Sequence, residues 1–207
     1  MSILVVNCFD WIGFHLVNEL LENGYNVHGL DVLHSMKKEH FWMFFARNDR
    51  FTLVKDEQMV DKKKKFDRLF VIDPVGVVPP VQANETIFIG RDENHLSERS
   101  KMIVNAPLLF GEWMSMCEEG IYVNSEFIRF HSEKFLTEAI YINDFIKGLL
   151  DQVENRSFVP KLNVLSIKCK QKHVKLENVL YIRDNRPIKE NIKKVIEHYK
   201  RFRHFYK

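Results

Sequence analysis

The chain begins with a short apolar run that gives way to apolar positions at helical spacing. Residues 3–6 are continuously apolar, and after a tight segment at 7–10 apolar residues recur three and four positions apart until Asn23-Gly24. This change of period predicts a buried strand, a turn and an amphipathic helix that ends at glycine. A second extended run at 25–30 stops at Asp31, so the segment predicts a strand–helix–strand unit.

Further extended and helical patterns follow along the chain. We predict further strands at 51–54, 66–73, 86–90, the beginning of 102–111, 139–143 and 162–167, and helices at 36–47, from Asp144 onward, and at 185–206. In the helix at 36–47, Phe41, Phe44 and Phe45 fall on one face, which favours core packing. The strand–helix–strand unit at the start of the chain predicts an α/β fold with a mostly parallel sheet and helices on both faces.

Composition bounds the size and setting of this fold. With 207 residues, 45% of them hydrophobic, the chain can bury one sizeable core. We expect a single domain over 1–207, with its core at about 1–115 and a small C-terminal lobe with the terminal helix at about 116–207. The three cysteines are widely spaced, and no apolar run reaches the length of a membrane span. A reduced, cytoplasmic protein is therefore expected.

The first segment resembles the N-terminus of the extended short-chain dehydrogenase/reductase family, which includes the NAD-dependent epimerases and dehydratases of nucleotide-diphosphate sugars. The family's loop reads G-x-x-G-x-x-G, continues into Ile-Gly-Ser-His-Leu, and is followed by a strand that ends in Asp. The matching residues are Ile12, Gly13, His15, Leu16 and Asp31, whereas Asn7 and Asp10 stand at the first two glycine positions and Phe14 at the serine. Farther along, Pro107 and Gly111 match a second family segment, in which Asn105 replaces an arginine. The resemblance implies a Rossmann-type sheet.

The resemblance also implies where a cofactor would bind. Its NAD site would be formed by Asn7, Asp10, Trp11, Ile12 and Gly13 in the turn, Asp31 at the ribose and Asp56 at the adenine. Asn7 tolerates the left-handed conformation that glycine usually supplies. Asp10 is less compatible, because a carboxylate about 4 Å from a phosphate costs roughly 4 kcal/mol at an effective dielectric constant near 20. We therefore expect NAD binding to be weak or absent.

The catalytic residues of the family are missing. Active members carry a Tyr-x-x-x-Lys pair, but no tyrosine occurs between Tyr25 and Tyr122, and Ser97 stands four residues before Lys101. The resemblance therefore implies a catalytically impaired protein, with Arg91, Asp92 and Glu112 as the candidate substitutes. The segments at 75–84 and 92–101 are too short for the family's usual dimer bundle, so any oligomer would use another surface. No pattern of metal ligands is found.

Three hypotheses remain open. The first is an impaired relative of the epimerases and dehydratases that binds a nucleotide or nucleotide-sugar weakly, or acts through a protein partner. The second is an active NAD-dependent enzyme that uses the substitutes. The third rests on the tail Lys200–Lys207, KRFRHFYK, whose basic and aromatic residues would suit nucleic acid or an anionic surface. A docked helix whose cations complement its C-terminal dipole is the favoured explanation of this tail, and we expect no nucleic-acid partner.

Overall fold

The structure is a computed structural model that describes residues 1–54, 65–73, 80–90, 102–155, 159–171 and 176–206. The chain divides into two compact units. Unit 1 comprises Met1–Asn105 with Phe158–Leu162, and unit 2 comprises Ala106–Ser157 with Asn163–Lys207. Each unit is described separately below.

Unit 1 is built on parallel strands. They are β1 (Ser2–Val6), β2 (Asn26–Leu30), β3 (Phe51–Val54), β4 (Lys65–Ile72), β5 (Gln82–Gly90) and β6 (Met102–Asn105), and the helices are α1 (Trp11–Glu22) and α2 (Met36–Phe45). Strand β1 lies between β2 and β4, with Val5 opposite Gly29 on one side and Phe70 on the other. The middle of β1 is fully buried, as expected of a central parallel strand covered on both faces.

Unit 2 contains shorter elements. They are β7 (Leu109–Phe110), β8 (Met116–Cys117), β9 (Gly120–Val123), β10 (Glu126–Arg129), α3 (Glu133–Glu138), β11 (Ile140–Tyr141), α4 (Ile142–Asn155), β12 (Lys161–Ser166), β13 (Val179–Ile182) and α5 (Ile188–Arg201). Strands β8, β9 and β10 form an antiparallel sheet, and β7 pairs with β11 in parallel. Turns of 3-10 helix follow β12 at Ile167–Gln171 and α5 at Arg203–Phe205.

Within unit 1 the described strands follow the order β6-β5-β4-β1-β2-β3, and β12 pairs with β13. These described pairings are parallel. The predicted α/β fold with a Rossmann-type parallel sheet is therefore confirmed. One buried cluster in this sheet joins the strands of unit 1 through Leu4, Leu30, Phe66, Leu69, Val71 and Phe88.

Some local predictions were wrong. Phe41 and Phe45 are buried as expected, but Phe44 is 60% exposed, because it lies at the rim of that helix face with its ring against Phe14. The terminal helix ends at Arg201, and a 3-10 turn replaces its predicted last turn. Helix α4 begins at Ile142, two residues before its predicted start at Asp144.

Candidate functional site

The turn after β1 uses Asn7 in place of the family's first glycine. Asn7 has a φ of 58°, which is the left-handed conformation that asparagine tolerates better than most residues. Its backbone N–H donates to the carbonyl of Leu30 at 2.9 Å, and its side-chain amide donates to the carbonyl of Ile72 at 2.7 Å. The substitution therefore preserves the turn and ties the ends of β1, β2 and β4 together.

Gly13 is required by the close approach of α1 to this turn. A Cβ atom added at Gly13 would lie 2.3 Å from the carbonyl oxygen of Asn7 and 3.0 Å from the carbonyl carbon of Cys8. Both neighbours are backbone atoms, so they cannot rotate away. The third glycine of a dinucleotide-binding loop has this packing role, and it is kept here.

Asp10 occupies the N-terminus of α1. It is the N-cap residue, and its Oδ1 accepts the backbone N–H of Ile12 at 2.9 Å. Burial raises the pKa of its carboxyl above the ordinary value, although the N–H groups of Ile12 and Trp11 oppose this shift. The helix end that would otherwise offer free N–H groups to a phosphate is therefore capped by the chain's own carboxyl group.

Asp31, at the end of β2, is also committed to contacts within the protein. Only 7% of the residue is exposed. Its Oδ2 accepts the N–H of Phe9 at 2.8 Å, while its Oδ1 accepts the N–H of Val32 at 2.7 Å and the ammonium group of Lys38. Both carboxylate oxygens are used, so Asp31 as placed here cannot receive both hydroxyl groups of a ribose without giving up one of these partners.

The other residues predicted for the cofactor site lie around the same turn. Ile12 is buried, whereas Trp11 is partly exposed with its ring against that of His15. Phe14 packs against the α2 rings of Phe41 and Phe45, with ring centres 4.3 and 5.0 Å away. Asp56, Arg91 and Asp92 lie outside the described residues. Unit 1 thus brings Asn7, Asp10, Gly13 and Asp31 to one turn, but two of these four are carboxylates already engaged.

Cys8, within the turn, is fully buried. Burial raises the pKa of its thiol well above the ordinary value, and the nearby charge of Asp31 adds to that shift. Because the thiolate is the reactive form, this cysteine is held as an unreactive thiol.

Unit 2 contains a charged cluster formed by Glu112, Tyr141 and Lys194. The hydroxyl of Tyr141 donates to the Glu112 carboxylate, whose two oxygens are 3.0 and 2.9 Å away. Lys194 donates to the Tyr141 oxygen at 2.9 Å and forms an ion pair with Glu112 Oε1 at 2.9 Å. Glu112 was a candidate from sequence, whereas Tyr141 and Lys194 were missed, because no local motif joins them.

This tyrosine and lysine do not behave like an activated proton-transfer pair. Burial and the negative charge of Glu112 raise the pKa of Tyr141 to about 12, and the hydrogen bond from Lys194 only partly offsets them. For Lys194, burial lowers the pKa, but the hydrogen bonds to Glu112 and Tyr141 raise it more, so the net shift is upward. At neutral pH the tyrosine therefore remains protonated and the lysine charged.

The basic tail packs against Trp113. The Trp113 backbone N–H donates to the hydroxyl of Tyr206 at 2.7 Å, and that hydroxyl also contacts Nδ1 of His198 at 2.7 Å. The rings of Phe202 and Tyr206 lie 5.1 and 6.0 Å from the Trp113 ring. These aromatic side chains are therefore engaged within unit 2.

The sheet is parallel, its first strand leads through a tight turn into a helix, and an acidic residue follows its second strand. These features together define a Rossmann-type α/β fold. No protein-family model matches the sequence, and no curated protein is similar to it in sequence. Solved structures are similar to it in fold.

A dTDP-glucose 4,6-dehydratase from Bacillus anthracis in complex with NAD matches with a TM-score of 0.59 and 9% identity, over 100% of this chain and 98% of that chain. The UDP-glucose 4-epimerase of Thermotoga maritima with UDP-glucose matches with a TM-score of 0.55 and 13% identity, over 97% of this chain and 99% of that chain. A yeast methylglyoxal/isovaleraldehyde reductase complexed with NADPH matches with a TM-score of 0.56 and 13% identity, over 99% of this chain and 100% of that chain. At such identities the likeness establishes the fold alone.

The described residues contain neither a cluster of metal ligands nor a membrane-spanning helix. Among them, no group of three or more histidine, cysteine, aspartate or glutamate side chains could hold a metal ion. None of the helices in the same part of the chain is both long and apolar enough to cross a bilayer.

Proposed function

We propose that this protein is a catalytically impaired relative of the NAD-dependent nucleotide-sugar epimerases and dehydratases, and that its Rossmann unit binds a dinucleotide weakly or not at all. The observation that carries the proposal is the carboxyl group of Asp10, which caps α1 where a Rossmann unit binds the pyrophosphate. The residues present do not fit an ordinary dinucleotide, since an internal acid stands where the ligand's own negative charge would lie.

The second carboxylate supports the same proposal. Asp31 accepts two backbone N–H groups and the ammonium group of Lys38. Asp31 could accept both hydroxyl groups of a ribose only by giving up one of these hydrogen bonds. A buried donor left without a partner costs about 1–3 kcal/mol, which would be subtracted from the affinity of the ligand.

The charged cluster of unit 2 supports the proposal that catalysis is impaired. A general acid or base is most effective when its pKa lies near the working pH. The pKa of Tyr141 is raised to about 12, in the opposite direction from the one that proton transfer at neutral pH requires. The function left to the chain is binding, either of a weakly held nucleotide or of a protein partner.

Calorimetric titration with NAD and NADH tests the proposal. We expect a dissociation constant no tighter than the millimolar range, and no turnover when a nucleotide-sugar and NAD are supplied together. Binding at micromolar concentration, or steady turnover of a nucleotide-sugar, would contradict it.

An active enzyme is the second candidate function, and it is favoured by one observation. Glu112, a candidate substitute, contacts both a tyrosine and a lysine, which are residue types able to transfer protons. If this cluster catalysed a reaction, Glu112→Gln would abolish turnover. Glu118→Gln is the matched control, because Glu118 also pairs with a lysine of α5, Lys200, but does so at the surface. Turnover that Glu112→Gln abolishes and Glu118→Gln leaves unchanged would favour the active enzyme over the impaired one.

A further inference from the structure

A polar cleft lies in unit 2 where the first turn of α4 faces the loop before α5 and the first two turns of α5. Its volume is about 150 Å³. Most of its wall consists of amide and cationic side chains, namely Asn143, Lys147, Asn185, Arg186, Asn191 and Lys194. We call it the α4–α5 cleft. Neither the family resemblance nor the proposed function gives it a role.

The charges around this cleft are mostly positive. Lys147, Arg186 and Lys194 contribute three cations, whereas Asp144 is the single acidic residue of the lining. The Oδ2 atom of Asp144 accepts the backbone N–H of Asn185 at 3.2 Å. Within the described part of the chain, Lys147 and Arg186 form no ion pair. Both cations act on the Asp144 carboxyl and oppose the rise that burial causes in its pKa, but neither has a direct ion-pair partner among the described residues.

A buried amide provides independent evidence for a ligand. Asn191 lies on α5, is only 3% exposed, and lines the cleft. Its side chain forms no hydrogen bond with any described residue. Buried polar side chains almost always have a partner, and the wall of a polar cleft is the place where a missing partner can be a ligand.

Lys194 has a donor to spare. Its ammonium group has three N–H bonds, of which one is directed to the Tyr141 oxygen and one to Glu112. The third has no partner among the described residues, and Lys194 forms part of the cleft lining with its side chain 53% exposed. Three cationic side chains and the Asn191 amide can thus donate into one small space.

We propose that the α4–α5 cleft binds a phosphate group, either as inorganic phosphate or as a phosphate monoester. The donors exceed what the two oxygens of a carboxylate ligand can use, whereas a phosphate offers three or four oxygens and twice the charge. Arg186 supplies the planar fork that suits phosphate, and the ammonium groups act as compact charges. The N-terminus of the 14-residue helix α4 adds a favourable dipole. This binding is independent of the turn after β1.

Calorimetric titration of the full chain with inorganic phosphate and with glycerol 3-phosphate tests the proposal, with sodium chloride as the ionic-strength control. Arg186→Gln and Lys147→Gln should each weaken binding at least about tenfold, which is about 1.4 kcal/mol. Lys189→Gln is the matched control, because it removes the same charge from an exposed position of α5 that does not line the cleft. Tighter binding of the inorganic ion identifies free phosphate as the ligand, and tighter binding of the monoester identifies a larger phosphorylated molecule.

Asn191→Leu distinguishes a ligand-binding role of the Asn191 amide from a structural role, because the two roles predict different changes in melting temperature and phosphate affinity. Because the amide has no hydrogen-bond partner among the described residues, leucine of similar volume should leave the melting temperature unchanged or raise it, while it weakens phosphate binding severalfold. The proposal is overturned if neither anion binds at millimolar concentration. It is also overturned if Lys189→Gln weakens binding as much as Arg186→Gln, or if Asn191→Leu lowers the melting temperature and leaves binding intact.

Discussion

The substitution Asp10→Gly should restore dinucleotide affinity to the turn after β1. It removes the carboxyl group that caps α1 and leaves the N–H of Ile12 without its present acceptor. Glycine is a good N-cap, so the replacement costs only a few tenths of a kcal/mol in stability. The variant should therefore fold, with the helix end open to an anion.

The increase in NAD affinity can be bounded from the electrostatic energy of the Asp10 charge. A full charge about 4 Å from a phosphate costs about 4 kcal/mol at an effective dielectric constant of 20, and about 2 kcal/mol if the separation is doubled. Removing that charge should increase the affinity for NAD by a factor between about 30 and about 1000. Asp10→Asn keeps a capping side chain and removes the charge, so it should give an intermediate increase.

The assay is titration of NADH fluorescence, with calorimetry of NAD as a second measurement. The matched control is Asp49→Asn, which removes a carboxylate from the turn before β3, at the edge of the sheet opposite the α1 N-terminus. Equal affinities of wild type and Asp10→Gly would refute the electrostatic argument. An equal gain in Asp49→Asn would show that net charge, not the position of Asp10, sets the affinity.

Three further predictions concern stability and ionisation. The pKa of Asp10 is raised above 3.8, so its contribution to stability is present at low pH and is lost as pH rises through the folded-state pKa. Asn at this position carries no charge at any pH. The urea midpoint of Asp10→Asn should therefore exceed that of wild type at neutral pH and converge with it in acid. Gly13→Ala should destabilise unit 1 by about 2 kcal/mol in urea unfolding, because the new methyl group would meet backbone atoms. Gly148→Ala should cost less, because its methyl group would meet only the end of the Ile182 side chain. Glu112→Gln should lower the pKa of Tyr141 from about 12 in an NMR titration of labelled tyrosine, and an unchanged value would contradict the role given to the Glu112 charge.

The strands β1, β4 and β5 of unit 1 were predictable from short runs rich in apolar residues, at 3–6, 69–72 and 86–89, whereas the polar first half of β5 was missed. The hairpin of β9 and β10 was not predicted, although it closes through the two-residue turn Asn124-Ser125. Both residues have positive φ, 47° and 66°, in a turn where asparagine followed by glycine is the usual signal. Serine at the second position removed that signal, and the flanking strands are too short to show clear alternation.

The charged cluster of unit 2 could not be predicted from local sequence at all. Tyr141 is 29 residues from Glu112 and 53 residues from Lys194, so only the fold brings them together. A search for Tyr-x-x-x-Lys detects a pair that shares one helix face. Here the tyrosine lies in β11 and the lysine in α5, which no periodicity connects.

The pairing of Asp31 with Lys38 bears on the choice between the two nicotinamide dinucleotides. An unpaired acid at the end of the second strand favours the cofactor with a free 2′-hydroxyl group, because it repels the additional phosphate of the other. Here the ammonium group of Lys38 neutralises that acid inside the protein. A variant whose turn had been opened by Asp10→Gly would therefore accept the phosphorylated and unphosphorylated dinucleotides with little discrimination.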